Sequence, residues 1–240
     1  NGLFLHMISN LINKIEVFGL HFATLDVRQE SSVHGKVLQA IADKENILPP
    51  NYSSLSNEEK INALVKISTQ ANAENYADII KDTLDSIAAI KTIQQYNGTA
   101  GCHRYIISQC TSALHVMEVY GLFLACGWKA DDLHIDIVPL FETIDDLHKA
   151  GEIMEKLYSL PAYRKHLKRR GNRQTIMLGF SDGTKDGGYL MANYSILHAK
   201  QALTSLSKKY DLDVVFFDGR GGPPARGGGK TQKFYASMGN

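Results

Sequence analysis

Residues 134–159 read HIDIVPLFETIDDLHKAGEIMEKLYS. The apolar run His134–Phe141 predicts a strand, and residues 144–159 predict a helix. The same unit recurs on both sides. Upstream, Arg104–Ser108 predicts a strand and residues 112–126 a helix. Downstream, a strand over 175–180 leads to a helix over 187–209, and residues 213–217 form the last strand. Toward the start, Leu3, Met7, Leu11, Ile12, Ile15 and Val17 recur at helical spacing, and Gly19 stops that helix. Phe22–Arg28 then reads as a strand and residues 34–43 as a helix. Pro49 and Pro50 break the chain, Ser56 caps a helix that includes Glu59, and residues 74–95 form a long helix ended by Asn97-Gly98. Strands alternating with helices imply βα units and a parallel sheet. Five such strands fit part of a (β/α) barrel or an open doubly wound sheet. No repeat, low-complexity tract or linker divides residues 1–240, so one domain, or a portion of one, is expected.

The composition is that of a chain able to bury a core: 240 residues, 44% hydrophobic and 21% charged. Lys and Arg number 26 against 25 Asp and Glu, a formal charge of +1, which argues against a polyanion binder driven by its overall field. Nucleic acid is therefore not an expected partner. Cys102, Cys110 and Cys126 show no CxxC spacing, which fits a reducing compartment and a cytoplasmic location. No run of about 18 apolar residues is present, so a membrane span is not expected. The chain starts Asn1-Gly2-Leu3 without an initiator Met and ends soon after a Gly-rich loop. It is expected to be a piece of a longer protein.

Polar residues gather at one place in this pattern. Arg28, Ser108, Glu142, Asp182 and Arg220 each fall at or just past the C-terminal end of a predicted strand. In parallel α/β folds that edge is where ligands bind. Two acids and two arginines there describe a site for an anion and a divalent metal. Each residue also has a plainer reading. Arg28 can grip a carboxylate or phosphate with its planar fork, or pair with Asp26 or Glu30 on a surface loop. Glu142 and Asp182 can converge on Mg²⁺ or Mn²⁺, which take oxygen ligands, or each can cap a helix or stand in a turn. Lys185 can face the same anion or sit in solvent.

The segment 218–229 has eight Gly or Pro among its twelve residues, with Arg220 and Arg226. A phosphate loop ending at Gly229-Lys230-Thr231 would need Gly where Pro224 stands, and no GxGxxG is present. The segment reads as a loop that moves over an anionic ligand, or as a flexible connection. The basic run Arg164–Arg170 with Arg173 has only Tyr163 as a neighbouring aromatic and reads as a solvated helix end. No HExxH or His-Cys cluster suggests zinc, and no G-x-S-x-G elbow suggests a serine hydrolase.

Taken in order, these segments resemble the phosphoenolpyruvate carboxylase family. Leu25-Asp26-Val27-Arg28-Gln29-Glu30-Ser31 resembles its DIRQES strand end, and Tyr105-Ile106-Ile107-Ser108 its YxIS segment. Pro139-Leu140-Phe141-Glu142-Thr143 with Asp145-Asp146-Leu147 is similar to PLFET..DL. Gly179–Gly188 is similar to GYSDSxKDAG, and Asp218–Gly228 to HGRGG(x)3RGG. The motifs span residues 25–229 in family order.

The resemblance implies a helix-rich partial (β/α)8 barrel of the TIM type with parallel strands. It implies carboxylation of phosphoenolpyruvate by bicarbonate, giving oxaloacetate and phosphate. Glu142 and Asp182 would bind Mg²⁺ or Mn²⁺. Arg28 and Arg220 would hold the phosphate and the carboxyphosphate intermediate, Lys185 would lie near the bicarbonate, and Arg226 would ride on the mobile glycine loop. The full-length enzyme is implied to be a homotetramer. Two departures stand out: Asp218 occupies the loop position where the family usually has His, and the family's TAHPTE segment does not occur in these 240 residues. The chain alone is therefore expected to be inactive. The alternatives are a non-catalytic metal- and anion-binding module derived from this fold, and another metal-dependent barrel enzyme acting on an enolate.

Overall fold

The structure is a computed structural model that describes residues 2–19, 21–219, 229–230, 232–233 and 236. The chain is α/β, with strands β1 (Leu25–Glu30), β2 (Cys102–Ser108), β3 (Asp136–Phe141), β4 (Arg173–Gly179) and β5 (Asp213–Gly219) in the sheet order β1-β2-β3-β4-β5. Its helices are α1 (Leu5–Phe18), α2 (Ser31–Lys44), α3 (Asn57–Leu64), α4 (Asp78–Asn97), α5 (Ala113–Ala125), α6 (Ile144–Ser159), α7 (Pro161–Arg169) and α8 (Ser181–Lys209). Two compact units are present: Asn1–Ile107 with Leu114–Ile137, and Ser108–Ala113 with Val138–Asn240. Among the described residues no helix is long and apolar enough to cross a membrane.

The first unit is built mainly from helices. Val37, Leu38 and Ile41 of α2, Leu64 of α3, Ile87 and Ile90 of α4 and Phe123 of α5 are all buried. Helix α5 runs close to Leu64, since a Cβ added at Gly121 would sit 2.5 Å from Leu64 Cδ2. The cap expected at Ser56 is present as a reciprocal box: the Glu59 amide donates to Ser56 Oγ (3.3 Å), and the Ser56 amide donates to Glu59 Oε2 (2.8 Å). Strand β1 begins at Leu25 rather than at Phe22, because Phe22 has φ 60, which no strand residue adopts. Helix α1 forms where the apolar spacing places it, yet none of its residues is buried.

This unit also encloses a polar cluster. His34 on α2 lies 3.0 Å from the Tyr105 hydroxyl through Nε2. Its buried Nδ1 has no hydrogen-bond partner among the described residues. On α5, Glu118 is buried, and the Tyr52 hydroxyl donates to its Oε1 at 3.5 Å. Burial, followed by the repulsion of His115, lowers the His34 pKa to about 3. Burial raises the Glu118 pKa to about 7 against the opposing pull of Lys60 and the Tyr52 hydrogen bond.

The second unit carries parallel pairing. β4 pairs with β5 from Arg173↔Asp213 to Gly179↔Gly219, and β3 with β4 at Leu140↔Met177 and Phe141↔Leu178. Pro139, within β3, has no N–H to give to a ladder. Ile153, Met154 and Leu157 form the buried stripe of α6, and Ala192, Ile196, Ala199 and Leu203 that of α8. Spacings of three and four residues put each set on one helix face. The basic run is a half-buried helix and not a solvated end: on α7 Tyr163, His166 and Leu167 are buried, while Lys165 and Lys168 face solvent. The Tyr163 hydroxyl donates to Gln174 Oε1 at 2.8 Å, anchoring that face to β4. Helix α8 starts at Ser181, six residues before the expected start at 187. Gly188 (φ 78, ψ 170) kinks it, and only glycine takes that conformation without strain, so the sequence pattern resumes after the kink.

Candidate active site

The register of the second unit sets the site. Because Phe141 lies beside Leu178, Glu142 emerges beside Gly179 at the C-terminal edge of the sheet. A Cβ at Gly179 would lie 3.1 Å from Glu142 Cα and 3.3 Å from its Cγ, so glycine is what lets this acid sit against β4. Two residues past the end of β4 the chain enters α8, where Asp182 stands in the first turn. Gly183 sits against the Glu142 carbonyl, 3.5 Å from the position its Cβ would take. The two carboxylate-bearing segments are thus packed together.

Each acid has a definite set of partners. The Gln109 amide donates to Glu142 Oε2 at 2.8 Å. Glu142 does not cap α6. Thr143 does: the Asp146 amide donates to Thr143 Oγ1 (3.1 Å). Asp146 Oδ2 in turn accepts from the amides of Thr143 (3.0 Å) and Glu142 (3.3 Å). Asp182 is not the cap of α8 either; it accepts from Lys185 Nζ at 2.8 Å, with Lys185 largely in solvent. A carboxylate in the first turn of a helix is favoured by the positive end of the helix dipole. Asp186 reaches across to α6, its Oδ2 accepting the Ile144 amide at 3.3 Å.

Arg28 is an exposed residue of β1, in the first unit. Arg104 Nε pairs with Asp26 at 2.7 Å. Arg220 and Arg226 lie outside the described residues. Asp218, at the loop position where His was the family expectation, forms an ion pair with Lys200 of α8 (2.8 Å). Ser108 closes β2, half-buried. Of the predicted residues, then, Glu142, Asp182 and Lys185 are brought to one edge of one unit.

Glu142 and Asp182 suit a hard divalent cation, which commonly takes one or two carboxylates and completes its shell with water and substrate oxygens. Among the described residues no group of three or more His, Cys, Asp or Glu is placed to cage a metal. Glu142 and Asp182 offer oxygen donors only.

Sequence reasoning missed Gln109, Asp146 and Asp186 as site-building residues. Asp146 had a readable signal, since Thr143-x-x-Asp146 is a capping box directly after a strand. Asp146→Ala is expected to lower the stability of the second unit by about 1–2 kcal/mol, because it leaves two half-buried amides without this acceptor and removes a cap. Urea unfolding followed by the near-ultraviolet signal would measure this, and an unchanged midpoint would refute it.

The sequence pattern of the phosphoenolpyruvate carboxylase family matches residues 3–237. The phosphoenolpyruvate carboxylase of Nitrosomonas eutropha is 36% identical over 233 residues, covering 93% of this chain and 25% of that protein. That of Prochlorococcus marinus strain MIT 9301 is 36% identical over 234 residues (92% and 24%), and that of Mycobacterium leprae 37% identical over 228 residues (90% and 24%). The chain spans about a quarter of the length of the curated relatives it matches. With the match running across nearly all of its residues, the chain belongs to the phosphoenolpyruvate carboxylase family.

Proposed function

We propose that this chain supplies the central catalytic section of an enzyme that carboxylates phosphoenolpyruvate with bicarbonate, releasing oxaloacetate and phosphate. The single observation that carries the proposal is the packing of Glu142 against the start of α8, which brings two carboxylates and Lys185 to one sheet edge. The family membership supports the substrate, and the coverage of a quarter of the relatives supports a section of a longer catalytic barrel. The strand order, which follows chain order, favours a (β/α)8 barrel over the rearranged order of a doubly wound sheet.

In this reading Glu142 and Asp182 hold Mg²⁺ or Mn²⁺. When bound, the metal supplies positive charge to the enolate oxygen that develops as the phosphate leaves. Arg28 and Arg220 neutralise the phosphoryl oxygens while bicarbonate attacks phosphorus, forming carboxyphosphate and the enolate. Lys185 orients the carboxylate fragment. Arg226 helps keep both intermediates from water. The full-length assembly is a cytoplasmic homotetramer.

The test is a coupled malate dehydrogenase assay. The full-length polypeptide is expected to turn over phosphoenolpyruvate only with bicarbonate and Mg²⁺ present, and the 240-residue chain to give no turnover. Bicarbonate-independent consumption of phosphoenolpyruvate by the full-length protein would overturn the reaction. Arg226→Ala in that protein is expected to reduce turnover with little change in thermal stability, since an arginine that serves the substrate adds little to an apolar core.

A further inference from the structure

We propose that Gln109 is a positioning residue whose backbone amide, aimed by a left-handed turn, fixes the Glu142 carboxylate in its cation-holding orientation. The inference rests on the reading of Glu142 as a metal ligand and adds a residue to it.

Three observations in the second unit carry it. Gln109 has φ 51, a conformation that a residue with a Cβ avoids. Such an outlier persists only where its surroundings require it, and it is a pointer to function. The amide turned by this φ donates to Glu142 Oε2 at 2.8 Å, a charge-assisted bond to a carboxylate. The next residue, the buried Cys110, donates its amide to the Leu140 carbonyl at 3.4 Å, which ties the turn to β3 two residues before Glu142.

Glu142 also packs on Gly179, so close that a methyl group there would press on Glu142 Cα and Cγ. The acid is held by the Gln109 amide and by the backbone at Gly179. Carboxylates that ligate metals are themselves oriented by hydrogen bonds, and loss of such a partner typically costs about 10–100-fold in metal affinity. Here the orienting donor belongs to the main chain. Its direction therefore depends on the conformation of residue 109.

The experiment titrates Mn²⁺ into the full-length protein, with free Mn²⁺ followed by electron paramagnetic resonance. Replacing residue 109 by the α-hydroxy analogue of glutamine turns its amide into an ester and deletes only the N–H. This is expected to weaken Mn²⁺ binding about tenfold. Gln109→Val keeps the N–H but disfavours positive φ, and is expected to weaken binding as well. Gln109→Gly, which takes that φ freely, is expected to recover most of the loss seen with Val. Glu142→Gln tests the underlying reading and should abolish binding. If Glu142→Gln abolishes binding while the ester binds as tightly as the natural chain, the inference about Gln109 is overturned and the metal reading stands. If Glu142→Gln leaves binding intact, the metal reading fails and the inference falls with it. Amide hydrogen exchange reads the contact without metal. The Gln109 N–H is expected to exchange slowly in the natural chain and rapidly in Glu142→Ala, and equal rates would also overturn the proposal.

Discussion

Asp182→Asn in the full-length enzyme is expected to reduce Mg²⁺-dependent turnover by about a hundredfold or more, with the fold unchanged. Changing a partner that merely orients a ligand costs about 10–100-fold, so loss of a ligating charge should cost at least as much. The substitution is nearly isosteric, and the side chain stands half-exposed in the first turn of α8, where it supports no core packing. Its ion pair with Lys185 is exposed on both sides, and such pairs add little to stability. Loss of the pair alone therefore does not account for a large effect. Lys185→Met removes the same pair and leaves the carboxylate in place, which separates the two contributions. Under the metal reading, Lys185→Met retains Mg²⁺ dependence, while Asp182→Asn shifts it to far higher Mg²⁺ concentration. Ordinary Mg²⁺ dependence with unchanged turnover in Asp182→Asn would refute the assignment.

The second large effect concerns the first unit, where stability is expected to follow two opposed titrations. Glu118 is buried, and its pKa rises from 4.5 to about 7. The folded chain thus keeps a proton that the unfolded chain releases, and this contribution is complete below pH 4.5 and lost as pH rises through 7. His34 works the other way. Its pKa falls from 6.5 to about 3, so its contribution is complete above pH 6.5 and lost as pH falls. Between 4.5 and 6.5 the folded state carries its proton on Glu118 and the unfolded state on the histidine. The two slopes cancel, and stability is flat in that window. His115 and Lys60 adjoin the cluster, as do Tyr52 and Tyr105, whose hydroxyl pKa values burial pushes further up.

Glu118→Gln removes one of the two titrations. At pH 8 it is expected to stabilise the chain by about 3 kcal/mol, the linkage value of the Glu118 shift. That corresponds to roughly 6–12 °C in the unfolding midpoint for a chain of this size. Near pH 5 the gain should fall to about a quarter of that. Below pH 6.5 the variant should also lose the flat window and decline steadily with acid, exposing the His34 term. Scanning calorimetry at pH 5, 6.5 and 8 measures both, and an equal gain at pH 5 and 8 would sink the account.

Much of the site could be read from local sequence. Glu142, Asp182 and Lys185 were legible because each follows an apolar strand run, and strand ends on one side of a parallel sheet share an edge. The capping box at Thr143 and Asp146 was legible for the same local reason. Gln109 was not, because its contribution is a backbone N–H whose direction depends on a φ that no side-chain pattern encodes. Asp218 was legible as a departure from the family motif but not as a partner of Lys200, eighteen residues back on α8.

By itself the sequence determined the order of strands and helices and which acids and bases close the strands. Apolar periodicity and turn residues act over a few neighbours, and that information is local. Only the tertiary structure decided the register that sets Glu142 against Gly179, the kink that carries Asp182 into a helix six residues early, and the burial of His34 and Glu118. Each of these depends on which surfaces exclude water from one another, and that is fixed by packing between segments distant in the chain.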